Sequence, residues 1–144
     1  MLATNPSEAV KPLIKIASGG EMSRIMLALK SALSDCEDVD VLLFDEIDSG
    51  VSGKAAIKIA QKLQKLSSSR QIICITHLPQ LAAMAHTHLL IEKDTSTDSF
   101  RTNVTTLDYE GRVDELTRLI AGSSDTSAAR LAAIEMLQAN SKEG

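Results

Sequence analysis

Apolar residues recur at helical spacing from Met22 onward: Met22, Ile25, Met26, Leu29 and Leu33 share one face. That spacing predicts a helix over 22–33, with Ser18-Gly19-Gly20 at its start. Residues 39–44 are a nearly unbroken apolar run, the pattern of a short strand covered on both faces. Ala56, Ile59, Ala60, Leu63 and Leu66 mark a second amphipathic helix, closed by the loop Ser67-Ser68-Ser69, and "QIICIT" at 71–76 is a second buried strand. Strand, helix, strand in one short stretch predicts a βαβ unit with parallel strands and a right-handed crossover.

Beyond it the pattern changes. A short helix is expected after Pro79, then a strand pair, "HLLIEK" and "RTNVTTLDY", around the polar tip Asp94 to Ser99. Two helices close the chain, over 113–120 and 127–139, with Gly122 as a stop and Asp125 or Thr126 as a cap. Residues 1–13, with Asn5-Pro6 and Lys11-Pro12, read as an irregular lead-in, and 14–144 as one lobe without internal repeats. The fold class is α/β: parallel strands flanked by helices, followed by a β-hairpin and further helices.

Composition narrows the function. With 144 residues, 44% of them hydrophobic, the chain has enough apolar material for one domain or part of one. Its net charge of -4 lacks the overall basic footprint of a free-standing nucleic-acid binder, and 2% aromatics leave no platform for stacking bases. Cys36 and Cys74 lack the spacing of a disulfide framework or structural zinc site, which favours a reducing compartment. No apolar run approaches the roughly 20 residues that span a bilayer, so a cytoplasmic protein without membrane contact is expected.

The candidate chemistry gathers around "LLFDEIDSGVSGKAA" at 42–56. Gly53-Lys54 suggests a phosphate-binding loop, but that motif needs a first glycine where Asp48 stands and a Ser or Thr where Ala55 stands. The acids matter more. Parallel strands present ligands at their carboxyl ends, and that edge carries Asp45-Glu46 on one strand and His77 on the other. Neighbouring acids on an extended strand point in different directions, so one can hold a magnesium ion and the other a water molecule, while His77 could reach a phosphate. The plain alternative is that the acids only cap the next helix. Likewise Ser18-Gly19-Gly20-Glu21 offers free amides and a positive helix start to a phosphate, or is simply a serine cap with an acid in the first turn.

Four segments together carry a family resemblance. "SGGEMSR" at 18–24 resembles the signature motif of ABC-type ATPases, "VLLFDE" at 41–46 their Walker B strand, "SGVSG" at 49–53 their D-loop, and "THLPQ" at 76–80 their switch-histidine segment. The wording is most similar to SMC-like ATPases of recombinational DNA repair, whose D-loops differ from those of transporters where this chain has Ser52. The resemblance implies a partial P-loop NTPase head lobe that binds ATP and Mg2+. It implies that Asp45 holds magnesium through water, Glu46 polarises the attacking water and His77 meets the γ-phosphate. Ser18, Gly19, Gly20 and Glu21 would act in trans on a partner's nucleotide, with Ser49, Gly50, Val51 and Ser52 crossing between heads.

No Walker A motif occurs in these residues, so the resemblance further implies a second, amino-terminal lobe of the same protein that supplies it. A head-to-head homodimer would complete the sites, and DNA would be engaged by the complete protein in a nucleoid-associated setting. The chain by itself is then expected to be inactive. Two rivals remain at this stage: the head of another SMC-like or transporter ATPase, and a nucleotide-gated clamp that does not hydrolyse. Lys54, Lys58, Lys62 and Lys65 line the outer side of the second helix, either as a solvated stripe or as a track for DNA phosphates. His86 and His88 are read as structural, and Met22, Met26 and Met84 as core filling.

Overall fold

The computed structural model describes residues 17–33, 39–94, 101–122 and 127–140. The lead-in, Cys36, the hairpin tip and the Asp125 or Thr126 cap lie outside them. The chain divides into two compact units, one ending at Leu78 and the other beginning at Pro79.

In the first unit, α1 spans Gly19–Ala32 and starts three residues earlier than the apolar spacing predicts. Ser18 explains the difference. Its hydroxyl accepts from the Glu21 amide while the Glu21 carboxylate accepts from the Ser18 amide, a reciprocal capping box that satisfies helix-start donors before the apolar stripe begins. Strand β1 is Val41–Phe44, helix α2 is Gly53–Ser67 and strand β2 is Gln71–Cys74. The strands pair in parallel with Val41 opposite Gln71 and Phe44 opposite Cys74, as a βαβ unit requires. Helix α2 buries Ala56, Ala60, Leu63 and Leu66, the stripe read from spacing, and leaves Lys54, Lys58, Lys62 and Lys65 exposed.

Two expectations fail here for one reason. The strands are covered on one face only: Leu42 and Phe44 are buried, but Leu43 is 64% and Ile75 50% exposed. The α1 stripe is likewise open at Met26, Leu29 and Leu33, so Met26 fills no core. The sheet has two described strands, too narrow a surface to cover the flank of α1 as well.

The second unit opens with α3, Pro79–Ala83. Strands β3, Leu89–Asp94, and β4, Arg101–Thr106, pair antiparallel as a hairpin. Helix α4 is Tyr109–Ala121, longer than predicted because Asp108 caps it by accepting from the Gly111 amide at 2.8 Å, which ends the strand reading at Thr106. Gly122 stops it at φ 68°, a left-handed conformation that favours glycine. Helix α5 is Ser127–Asn140. Ala82, Ala83, Val113, Leu116, Ala133 and Leu137 form this unit's core. Arg112 ties the unit together by donating to the carbonyls of Ala83 and Ala85 at 3.1 and 2.7 Å.

Candidate functional site

The parallel register puts the carboxyl ends of β1 and β2 side by side, and the Ile75 amide continues the ladder to the Phe44 carbonyl at 3.0 Å. Asp45 and Glu46 therefore leave one strand on the same sheet edge at which the segment to His77 leaves the other. Both acids are exposed. Glu46 has φ 56°, a left-handed conformation that is uncommon for a residue with a side chain and that clusters at functional sites. From Glu46 the chain turns sharply: Ile47 is 0% and Asp48 3% exposed, while Ser49 and Gly50 return to the surface.

The start of α1 is seated on this turn. A methyl group on Gly19 would collide with the Glu46 carboxylate, and one on Gly20 would come within 2.8 Å of both the Glu46 carbonyl oxygen and the Ser49 Cβ. At Gly20, where the obstruction includes backbone, only glycine permits so close an approach. Polar bonds fix the same contact. The Ser23 hydroxyl donates to the Asp45 carbonyl at 2.7 Å, and the Arg24 guanidinium donates to the carbonyls of Ser49 at 2.8 Å and Ile47 at 3.2 Å. Glu46 thus lies beside the positive end of α1, a favourable place for a carboxylate. Within this chain the signature residues and Glu46 are neighbours, a juxtaposition the trans assignment gave no reason to expect.

His77 is held by a neighbour that the sequence reading did not consider. The Asp48 carboxylate lies against it, with Nδ1 at 3.1 Å from Oδ2. The same oxygen accepts from the Thr76 hydroxyl at 2.5 Å and the His77 amide at 2.9 Å, and the Leu78 amide donates to the Thr76 hydroxyl at 3.0 Å. Burial works against ionisation of Asp48, yet those hydrogen bonds and the nearby imidazole hold its carboxyl below the usual range. Sequence reasoning passed over Asp48. The available signal was a third acid two residues beyond the Asp-Glu pair, where a turn can direct it inward.

Hydrogen bonds from the Ser18 amide and then its hydroxyl keep the exposed Glu21 carboxyl below its ordinary range, which is the capping role. Burial, and then the charges of Asp48 and Asp45, push the Cys74 thiol up to about 11, so it is inert at neutral pH. Burial and the charge of Arg112 lower His88, whose Nδ1 is buried without a hydrogen-bond partner. Ser52 precedes α2 without a side-chain cap, and Gly53-Lys54 simply begins that helix. Among the described residues no group of three His, Cys, Asp or Glu side chains could hold a metal alone. Among them also, no helix is long and apolar enough to cross a membrane.

Fold and sequence comparisons agree. A solved structure from work on the ATP-driven dimerization and DNA-stimulated activation of SMC ATPases superposes with a TM-score of 0.56 at 24% identity, covering 82% of this chain and 70% of that one. The fold is therefore that of a P-loop NTPase-like lobe of the SMC ATPase head. The sequence is 50% identical over 136 residues to the DNA repair protein RecN of Halalkalibacterium halodurans, covering 94% of this chain, and 47% identical over 138 residues to RecN of Bacillus subtilis, covering 96%. RecN of Streptomyces coelicolor is 44% identical over 138 residues. Over nearly its whole length the chain is similar to a segment of these proteins, and it spans 24% of the length of each. No family model matches.

Proposed function

We propose that this chain is the carboxyl-terminal lobe of an ABC-type ATPase head in a RecN-like protein that acts in recombinational repair of DNA double-strand breaks. The observation that carries the reading is the seating of Gly19 and Gly20 against the Glu46–Ser49 turn, at the carboxyl edge of a parallel strand pair. A phosphate-attracting helix start, two exposed acids and a histidine thereby share one rim, the part of an α/β sheet where ligands bind. Similarity to RecN favours a repair ATPase over a transporter.

Each residue has a definite task. Asp45, an exposed carboxylate at a strand end, would hold Mg2+, which commonly binds one or two carboxylates together with water and nucleotide phosphates. Bound there, the ion would neutralise charge on the phosphates. Glu46 acts as general base on the attacking water, a contribution of about 10²- to 10⁴-fold in rate. His77 offers its imidazole to the γ-phosphate, and Ser18, Gly19 and Gly20 offer amides and a hydroxyl to the nucleotide of a partner head. Ser49 to Ser52 lie between the two sites. The exposed apolar faces of β1, β2 and α1 suit docking of a Walker A-bearing amino-terminal lobe of the same protein. DNA is engaged by the complete, cytoplasmic assembly.

The test is Glu46→Gln in the complete protein. ATP binding and ATP-dependent head pairing should persist while turnover is lost. Hydrolysis at the wild-type rate would remove Glu46 from the role of base, whereas absence of turnover in the unsubstituted protein would leave only a nucleotide-gated clamp.

A further inference from the structure

Asp48 is unexplained by the roles above. Its side chain is 4% exposed, and a buried carboxylate is costly unless its lone pairs are satisfied. It caps no helix, since α2 begins after Ser52. Instead one of its oxygens collects the Thr76 hydroxyl, the His77 amide and His77 Nδ1. Nδ1 lies 3.1 Å from that oxygen, and because an ionised carboxylate only accepts, a hydrogen on Nδ1 is the arrangement this proximity favours. The ring is 73% exposed, which leaves Nε2 as the outward nitrogen.

We propose that Asp48 is the positioning residue for His77: it fixes the imidazole with Nδ1–H directed inward, so that Nε2 is the atom offered to the terminal phosphate of a nucleotide. The importance for turnover rests on the reading of His77 as the γ-phosphate contact; the ring orientation does not. Anchoring the His77 amide and ring to the same oxygen registers backbone and side chain together, removing rotamer freedom before any ligand arrives. When Nε2 also carries a proton, the imidazolium lies between a buried carboxylate and a phosphate, each compensating its charge. Because Asp48 sits in the turn that Arg24 holds through the Ser49 carbonyl, the ring is referenced to the same scaffold as Glu46.

Two measurements on the complete protein test this separately. With ¹⁵N confined to histidine rings, and His77→Gln to assign its signal, neutral His77 should show hydrogen on Nδ1 and none on Nε2. Asp48→Ala should shift the ring toward the Nε2–H form. A wild-type ring already in the Nε2–H form overturns the proposal whatever the enzyme does. In the second measurement, Asp48→Ala should lower kcat by about tenfold to a hundredfold, as loss of an orienting partner does, with little change in KM for ATP. Asp48→Asn, whose amide oxygen fits the same donors, should recover part of the loss. In a His77→Ala background, Asp48→Ala should cost nothing further. A full additional loss there would mean that Asp48 acts through the turn and not through the ring, and would overturn the proposal. Absence of turnover in wild type would instead defeat the ATPase reading and leave the ring orientation to stand or fall by the first measurement.

Discussion

Arg24, one turn into α1, donates to the carbonyl oxygen of Ser49, 25 residues away in sequence and 2.8 Å away in space. A second bond from the same nitrogen reaches the Ile47 carbonyl at 3.2 Å. A single guanidinium thereby holds the turn that follows Glu46 against the helix that begins at Gly19. Lysine is shorter and ends in a compact, strongly hydrated ammonium that is costlier to bring against these carbonyls. Arg24→Lys should therefore retain little of the stabilisation and Arg24→Ala none. Each should lower unfolding free energy by about 1–2 kcal/mol in denaturant titration, the usual scale for a charged hydrogen bond at a partly exposed site. An Arg24→Ala variant as stable as wild type would show that the contact is incidental.

Gly20 is a sharper case, because the obstruction is backbone. A Cβ there would lie 2.8 Å from the Glu46 carbonyl oxygen, which cannot swing away as a side-chain tip would. Gly20→Ala should force α1 off the turn and lower the melting temperature, even though alanine is the better helix former. Helix propensity alone forecasts the opposite sign, so a raised melting temperature would show that α1 is not seated as described.

Stability should depend on pH through Asp48. Its pKa is lower folded than unfolded, so its contribution is fully present above the unfolded value, about pH 4, and is lost as pH falls through the folded value. The stability gap between wild type and Asp48→Asn should be widest near neutrality and shrink on acidification through that range. A gap that widens toward acid would mean the folded state disfavours the ionised carboxylate.

Cys74 offers a probe of the same edge. With its thiol pushed up to about 11, alkylation at neutral pH should be slow and should accelerate steeply as pH rises, whereas the unfolded chain should react at the ordinary rate. Rapid labelling of Cys74 in a folded Cys36→Ser variant at neutral pH would contradict the burial and the nearby acidic charge.

Much of this arrangement was legible in residue order. The stripe of α2, the parallel pairing of 41–44 with 71–74 and the hairpin all form where residue order places them, and α2 also buries most of what its sequence marks as apolar. The reading failed where burial depends on something other than a described neighbour. Val41, Leu43, Ile73 and Ile75 read as covered on both faces and are open on one, since periodicity reports that a cover is needed but not which polypeptide supplies it. Asp48 was missed for the converse reason. Its burial is created by the reversal after Glu46, and a left-handed glutamate leaves no mark in composition or spacing. The seating of Gly19 and Gly20 was half visible: the glycines advertised a close approach, but the adjacent turn, and not only a phosphate, is what approaches.

The most direct test compares ATP turnover by this chain alone with turnover by the complete RecN-like protein under identical conditions. On the proposed reading the complete protein should hydrolyse ATP and the rigorously purified chain should not, because that reading assigns the grip on the nucleotide to another lobe. Turnover by the chain alone, removed by Glu46→Gln, would contradict a divided site.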